Sequence, residues 1–88
     1  MEEWEEYISN HAELTYRVAT HNAIGFAQAC FDQNTVDELE EAESGFADMS
    51  DCQTWNINED EWRWAIVTAK YAKVHDGSIS DTGRIYLP

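Results

Sequence analysis

The clearest hydrophobic pattern in the chain lies in residues 58–75, where apolar side chains recur on two opposite faces of a helix. At about 100° per residue, the two faces are formed by Trp62, Ala65, Ile66 and Ala69, and by Trp64, Val67, Tyr71 and Val74. A helix that is apolar on two sides is usually buried on both. We therefore expect this segment to be the central helix of a small domain.

Polar residues at both ends of this segment predict where the helix begins and ends. Asn58 is followed three residues later by Glu61, which is the spacing of a capping box with Asn58 as the N-cap. At the other end, Asp76 and Gly77 form a plausible helix stop, because glycine readily takes the left-handed conformation that ends many helices.

Residues 2–31 are also helical in composition, with no proline and one internal glycine. The first half carries a rough apolar stripe, made of Trp4, Tyr7, Ile8, Leu14 and Val18. Residues 19–31 are apolar almost all round, which is typical of a buried helix. We expect one long helix or two consecutive helices, with a break or bend near Ser9 and Asn10 as an option, followed by a turn at residues 32–34.

The next helix is predicted from Thr35, because Thr35 and Glu38 again have capping-box spacing. Apolar residues then follow at intervals of three and four, namely Val36, Leu39, Ala42, Phe46 and Met49. This periodicity predicts a helix over residues 36–49 that packs on the core with these residues. The opposite face is acidic.

Three short stretches read as strands. Within residues 50–57, residues 53–57 alternate like a short strand, with Trp55 and Ile57 on one side. Residues 78–80 and 84–87 predict an antiparallel hairpin joined by residues 81–83. The sequence therefore predicts a mainly α fold, with three to four helices and a short β-hairpin or small sheet near the C-terminus, in which residues 1–88 form one compact domain.

Charge is distributed very unevenly along the chain. The 18 acidic residues exceed the five lysines and arginines, for a net charge of −13. Residues 32–61 hold eleven of the acids and no lysine or arginine. Such a surface repels nucleic acid and anionic membranes and attracts basic proteins. The glutamates of the N-terminus do not resemble a secretory signal, so we expect a cytoplasmic protein with free thiols at Cys30 and Cys52.

The spacing of reactive residues argues against most chemistry. The histidines and cysteines lack the spacing of a zinc site, and we expect no metal or cofactor. Cys30 lies in an apolar helix, where a thiol is usually inert. No glycine-rich phosphate loop is present. We expect a protein that is not an enzyme, although a carboxylate pair in a cleft is an alternative that would show strongly raised pKa values.

Carboxylates on the predicted helix 36–49 suggest an imitation of the nucleic-acid backbone. Asp37, Glu41, Ser44 and Asp48 form one row along the helix, bordered by Glu40 and Glu43. Residues three and four apart lie about 5–6 Å apart on a helix surface, a scale similar to the phosphate spacing of DNA. Two other acidic runs would extend this row if the helix starts meet, namely Glu2, Glu3, Glu5 and Glu6, and Glu59, Asp60 and Glu61.

In size, acidity and predicted helicity the chain is similar to small phage or mobile-element proteins that block restriction or CRISPR systems, some of which mimic DNA. Its bulk character also resembles that of bacteriocin immunity proteins. No matched motif carries either resemblance, so neither transfers a site.

We therefore expect an inhibitor that occupies the basic nucleic-acid site of a partner protein or nuclease complex and does not bind nucleic acid or membrane itself. The predicted contact residues are Asp37, Glu38, Glu40, Glu41, Asp48, Glu59 and Asp60. The alternatives are a toxin-immunity protein and an assembly module, such as a homodimer, that binds through an aromatic surface containing Trp4 or Trp64.

Overall fold

The computed structural model describes residues 3–12 and 19–88. Its helices are α1 (Glu3–His11), α2 (His21–Gln33), α3 (Val36–Ser44), α4 (Met49–Trp55) and α5 (Glu59–Val74), and its strands are β1 (Ser78–Ile79) and β2 (Ile85–Tyr86). The predicted mainly helical fold with a small antiparallel sheet near the C-terminus is confirmed.

The described residues of the N-terminal segment contain two separate helices, which is the second of the two predicted alternatives. The first of them, α1, continues through Ser9 and Asn10, so the structure has no break at that position. The second, α2, extends through Gln33 and leaves only Asn34 of the predicted turn as its C-cap. Leu14 and Val18, the last two residues of the predicted apolar stripe, lie outside the described residues.

The predicted central helix is confirmed by α5. Ten of its sixteen residues are buried, and both Trp64 and Val67 are completely so. Every other helix and strand in the described residues contacts it. Val74 is half exposed although the pattern placed it on a buried face, because it is the last residue of the helix. The core of the protein is therefore built around α5.

A buried carboxylate joins the start of α5 to the start of α2. The capping box is present, since the Glu61 N–H donates to Asn58 Oδ1 over 2.8 Å and Glu61 Oε1 accepts from the Asn58 N–H over 3.0 Å. The second oxygen of Glu61 accepts a hydrogen bond from the hydroxyl of Thr20, the N-cap of α2. Glu61 thus serves two helix N-termini, where a negative charge is favoured.

The end of α5 has the hydrogen bonds of a Schellman motif. The Gly77 N–H donates to the Ala72 carbonyl over 2.7 Å, and the Asp76 N–H donates to the Lys73 carbonyl over 3.3 Å. Asp76, with a φ of 57°, takes the left-handed position that glycine usually occupies. A side chain at Gly77 would lie 2.7 Å from the Tyr86 carbonyl oxygen, so glycine is needed there for close approach to the hairpin.

The predicted helix over residues 36–49 and the predicted short strand over residues 53–57 are both wrong. The first helix, α3, has the predicted capping box at Thr35 but ends at Ser44, where Gly45 donates its N–H to the Ala42 carbonyl. Asp48 then caps the new helix α4 by accepting from the Ser50 N–H over 2.9 Å. Local capping by Gly45 and Asp48 therefore outweighs both the longer apolar periodicity and the short alternating pattern.

The C-terminal hairpin has the predicted antiparallel pairing. Ser78 lies opposite Tyr86, and Ile79 lies opposite Ile85. Gly83 in the turn has a φ of 84°, a conformation that favours glycine. Ile85 is buried, and through it the hairpin closes one end of the core.

Candidate partner-binding face

The acidic residues predicted to contact a partner are all exposed. We call these seven residues the acidic face; they are Asp37, Glu38, Glu40, Glu41, Asp48, Glu59 and Asp60. Four belong to α3, one caps α4 and two begin α5. Glu38 and Asp48 also accept backbone hydrogen bonds from Thr35 and Ser50 in their helix caps.

The predicted continuous row of carboxylates from Asp37 to Asp48 is wrong. Asp37, Glu41 and Ser44 do lie on one helix, but α3 ends at Ser44. The Ser44 hydroxyl is turned back to donate to the Glu41 carbonyl over 2.9 Å. Asp48 therefore reaches the surface as the cap of a different helix, and the seven residues of the acidic face are divided among α3, the N-cap of α4 and the first turn of α5.

The predicted extensions of this row are only partly exposed. Glu3 and Glu6 are exposed on α1, whereas Glu5 is buried. Glu61 is buried between the two helix starts that it caps, so it cannot contribute to an outer acidic track. Glu2 lies outside the described residues.

Glu43, predicted to border the row, instead faces α5. Its carboxylate oxygens each lie 3.2 Å from the Lys70 ammonium, and the Arg63 guanidinium donates to its carbonyl over 2.6 Å. Arg63 also donates to the Gly45 carbonyl over 2.9 Å. The sequence pattern did not indicate this partner, because Lys70 lies 27 positions away and helical spacing relates only residues on the same helix.

The cations of α5 are engaged inside the domain. Arg63 and Lys70 hold the end of α3, and Lys73 donates to the Phe31 carbonyl with its ammonium 5.0 Å from the centre of the Phe31 ring. These contacts fix α2 and α3 on α5. Arg63 also lines a hollow with Glu59 and Asp60, so one of these cations lies beside two residues of the acidic face.

A cleft of about 640 Å³ opens between α2, α3, α4 and α5. Its walls include six largely apolar side chains, namely Phe26, Cys30, Leu39, Trp55, Trp62 and Ile66. Four carboxylates also line it, three from the acidic face and one more from α4, namely Glu38, Glu41, Asp48 and Asp51. We call this feature the acid-rimmed cleft.

The thiol in this cleft is not a candidate nucleophile. Burial, with a smaller contribution from the charge of Asp51, raises the pKa of Cys30 to about 12. Cys52 is also buried, and burial together with nearby carboxylates raises its pKa. A thiol is reactive as its thiolate, so both cysteines are in the unreactive protonated form at neutral pH.

Two apolar residues predicted to lie in the core are exposed instead. Phe46 is 99% exposed and Met49 is 53% exposed, because the chain turns away from the core after Gly45. Phe46 lies at the edge of the acid-rimmed cleft and also lines a second hollow of about 300 Å³, together with Glu59 and Asp60. The glycine before Phe46 was the sequence signal for this change of direction.

The prediction that Trp4 or Trp64 contributes to an exposed aromatic surface is wrong. Their side chains are 3% and 0% exposed, because Trp4 packs in the core through α1 and Trp64 lies on the inner side of α5. Trp62 is buried as well, and its indole N–H donates to Asp51 over 3.2 Å at the acid-rimmed cleft.

In the described part of the chain, no group of three or more histidine, cysteine or acidic side chains is placed to hold a metal ion. Within the same ranges, no helix has the length and apolar character required to cross a bilayer. The sequence matches no family model, and comparison with curated proteins and with solved structures finds no match.

Proposed function

We propose that this protein is an inhibitor that places its acidic face on the basic nucleic-acid-binding surface of another protein. The partner class is a DNA- or RNA-binding defence enzyme, such as a restriction or CRISPR nuclease complex. The source that fits such a role is a phage or mobile element, with the protein acting in the host cytoplasm. In this proposal the protein performs no catalysis and requires no cofactor.

The observation that carries the proposal is the contrast between exposed acids and engaged bases. The seven carboxylates of the acidic face reach solvent, whereas the three cations of α5 bind Glu43 and backbone carbonyls. Concentrating like charge on one surface destabilises a compact protein, so an acidic face of this density favours a functional use.

The proposed mechanism is electrostatic steering followed by occlusion. A preformed negative surface raises the rate of encounter with a basic site, and the attraction weakens as salt screens the charges. Because α3, which carries four of the seven carboxylates, is held to α5 by Arg63 and Lys70, little ordering of that helix is needed on binding.

The test begins with a partner isolated from a bacterial lysate on the immobilised protein and then purified. Competition is measured by the fluorescence anisotropy of a labelled DNA duplex bound to that partner. The acidic protein should displace the duplex, and association should slow by at least about tenfold between low and physiological salt.

A charge-neutralised variant carrying Asp37→Asn, Glu40→Gln, Glu41→Gln and Asp48→Asn should lose this displacement while it remains folded. The matched control removes four exposed charges elsewhere, through Glu3→Gln, Glu6→Gln, Asp32→Asn and Asp76→Asn. Displacement that the first variant retains, or that both variants lose equally, would contradict a role for the acidic face.

The assembly alternative is favoured by a different observation, the exposed pair Phe46 and Met49. A homodimer built on this pair would bury apolar surface and would respond weakly to salt. Sedimentation at low and high salt separates the two functions: a salt-independent dimer that Phe46→Ser converts to a monomer would favour assembly.

A further inference from the structure

The acid-rimmed cleft combines two chemical features that rarely occur together on a surface that only needs to be soluble. Its walls are aromatic, with the ring centres of Phe26 and Trp55 lying 5.7 Å apart at an angle of 51°. Its remaining wall groups include four carboxylates, and none of the described residues that line it is lysine, arginine or histidine. Every charged side chain among the described residues that line the cleft is therefore negative, and the other lining side chains are apolar or carry neutral amides.

Only some ligands complement such a cleft. Arginine and lysine carry a cation at the end of an apolar stem, so the stem packs on aromatic rings while the charge reaches carboxylates at the edge. Aromatic faces also attract the cation directly. An acidic or purely apolar ligand would leave the carboxylates of the cleft desolvated and unpaired, which disfavours it.

Phe46 indicates that the occupant is part of a protein. Its side chain is 99% exposed at the edge of the cleft, beside the half-exposed Met49. An apolar anchor surrounded by charged residues is the usual arrangement at the centre of a protein interface. A small organic cation would not cover Phe46, whereas a peptide segment with an apolar residue next to its basic residue would.

We infer that the acid-rimmed cleft binds a basic segment of the partner protein, with an arginine or lysine side chain inside the cleft and a neighbouring apolar side chain against Phe46. This inference rests on the proposed function for the basic nature of the partner. It adds that the acidic residues have two separate roles. The outer carboxylates Asp37 and Glu40 increase the rate of encounter with the partner, and the cleft determines which basic segment binds.

The test uses two fluorescein-labelled peptides of twelve residues, each with four arginines. One has four leucines beside the arginines, and the other has serines in their place. Binding to the full chain is measured by fluorescence anisotropy at physiological salt. The leucine peptide should bind at least about fivefold more tightly, because only it can cover Phe46.

Paired variants locate the binding on the surface. Asp48→Asn with Asp51→Asn neutralises two charges in the cleft, and both amides preserve the hydrogen bonds to Ser50 and Trp62. This double substitution should weaken binding of the leucine peptide by at least about tenfold, and so should Phe46→Ser alone. Asp37→Asn with Glu40→Gln removes the same charge outside the cleft, and it should weaken binding by less than about threefold.

The tryptophans supply an independent readout, because two of them line the cleft and two do not. Peptide binding should shift the indole N–H resonances of Trp55 and Trp62 in NMR spectra and leave those of Trp4 and Trp64 in place. Unfolding of a variant would disturb all four resonances, so a misfolded variant is recognised directly.

The remaining outcomes separate the inference from the function on which it rests. If the peptides do not bind, or if the inner and outer pairs of substitutions weaken binding equally, the inference that the cleft binds a basic segment is wrong. Displacement of DNA by the whole protein would still support the proposed function in that case. Specific peptide binding without any displacement of DNA would instead contradict the proposed function. The inference that the cleft binds a basic peptide would still hold.

Discussion

Lys70 on α5 and Glu43 on α3 form an ion pair in which the ammonium lies 3.2 Å from each carboxylate oxygen. Both side chains are 17% exposed, so the pair is largely shielded from solvent. Burial lowers the pKa of Lys70, but its interactions with Glu43 and Tyr7 outweigh this and raise the pKa overall. The pair therefore stabilises the folded protein at neutral pH, and the contribution of Lys70 is lost as strongly alkaline pH deprotonates its ammonium group.

Removing this pair should destabilise the protein although it relieves negative charge. Glu43→Gln should lower the free energy of unfolding by about 1 kcal/mol, because Lys70 loses its partner in a partly buried position. Glu41→Gln, on the exposed side of the same helix, should leave stability unchanged or raise it by about 0.3 kcal/mol, because it relieves repulsion. Urea unfolding at neutral pH checks both variants. Equal effects would mean that the ion pair contributes nothing specific.

Arg63 should be more sensitive to substitution than a surface cation. Arg63→Lys retains the charge but cannot reproduce the two donors that bind the carbonyls of Glu43 and Gly45. Because hydrogen bonds from charged donors contribute about 1.5–3 kcal/mol, we expect a loss of about 2 kcal/mol in the free energy of unfolding. Hydrogen exchange should show the greatest loss of protection at the end of α3. A uniform loss across the domain would contradict this assignment.

A buried hydroxyl without a partner offers a way to stabilise the protein. Thr68 is 0% exposed, and its Oγ1 has no hydrogen-bond partner in the described structure. Thr68→Val replaces the hydroxyl with a methyl group of similar shape, so it should raise the free energy of unfolding by about 1 kcal/mol. Thr68→Ser is the matched control, because it keeps the hydroxyl and loses the methyl. Thermal unfolding of both variants checks the prediction, and Thr68→Ser should lower the free energy of unfolding.

Alkaline pH should destabilise the protein through its buried thiols. The pKa of Cys30 rises from 9.0 to about 12 on folding, so above pH 9 the unfolded chain releases a proton that the folded protein retains. The free energy of unfolding should then fall by about 1.4 kcal/mol per pH unit for this group. Tyr71 and Cys52 act in the same direction, because burial raises the pKa of each.

The contribution of Cys30 can be isolated with Cys30→Ala. Urea unfolding between pH 7 and pH 11 should give a shallower pH dependence for this variant than for the natural sequence. Identical slopes would show that the other groups account for the alkaline loss. The thiol-reactive reagent DTNB provides a second check at pH 8, where Cys30 should react only as fast as the protein opens.

The parts of the fold set by local interactions were predictable from the sequence. The capping boxes at Thr35 and Asn58 depend on side chains three residues apart, and the burial of α5 follows from its two apolar faces. The break between α3 and α4 also had local signals at Gly45 and Asp48. The spacing of Phe46 and Met49 agreed with a continuing helix, so the sequence pattern predicted one helix despite those signals.

The candidate site was only partly predictable, because its form depends on packing between distant segments. The exposure of the four acidic-face residues of α3 follows from their position away from Leu39, which is 1% exposed. The acid-rimmed cleft requires four helices to meet, and the pairing of Glu43 with Lys70 joins residues 27 positions apart. Neither relationship can be predicted from the periodicity of the sequence, because each depends on contacts between distant segments.

The central position of α5 has a consequence for how the chain folds during its synthesis. Helices α1 to α4 leave the ribosome before α5, and each of them contacts α5. Until residues 59–74 emerge, the apolar faces of the earlier helices lack the surface that covers them in the folded protein. The eleven carboxylates of residues 32–61 immediately precede or begin that helix, and their mutual repulsion would keep nascent chains apart over this interval. The negative charge of this segment would thus oppose aggregation before the helix that completes the core is available.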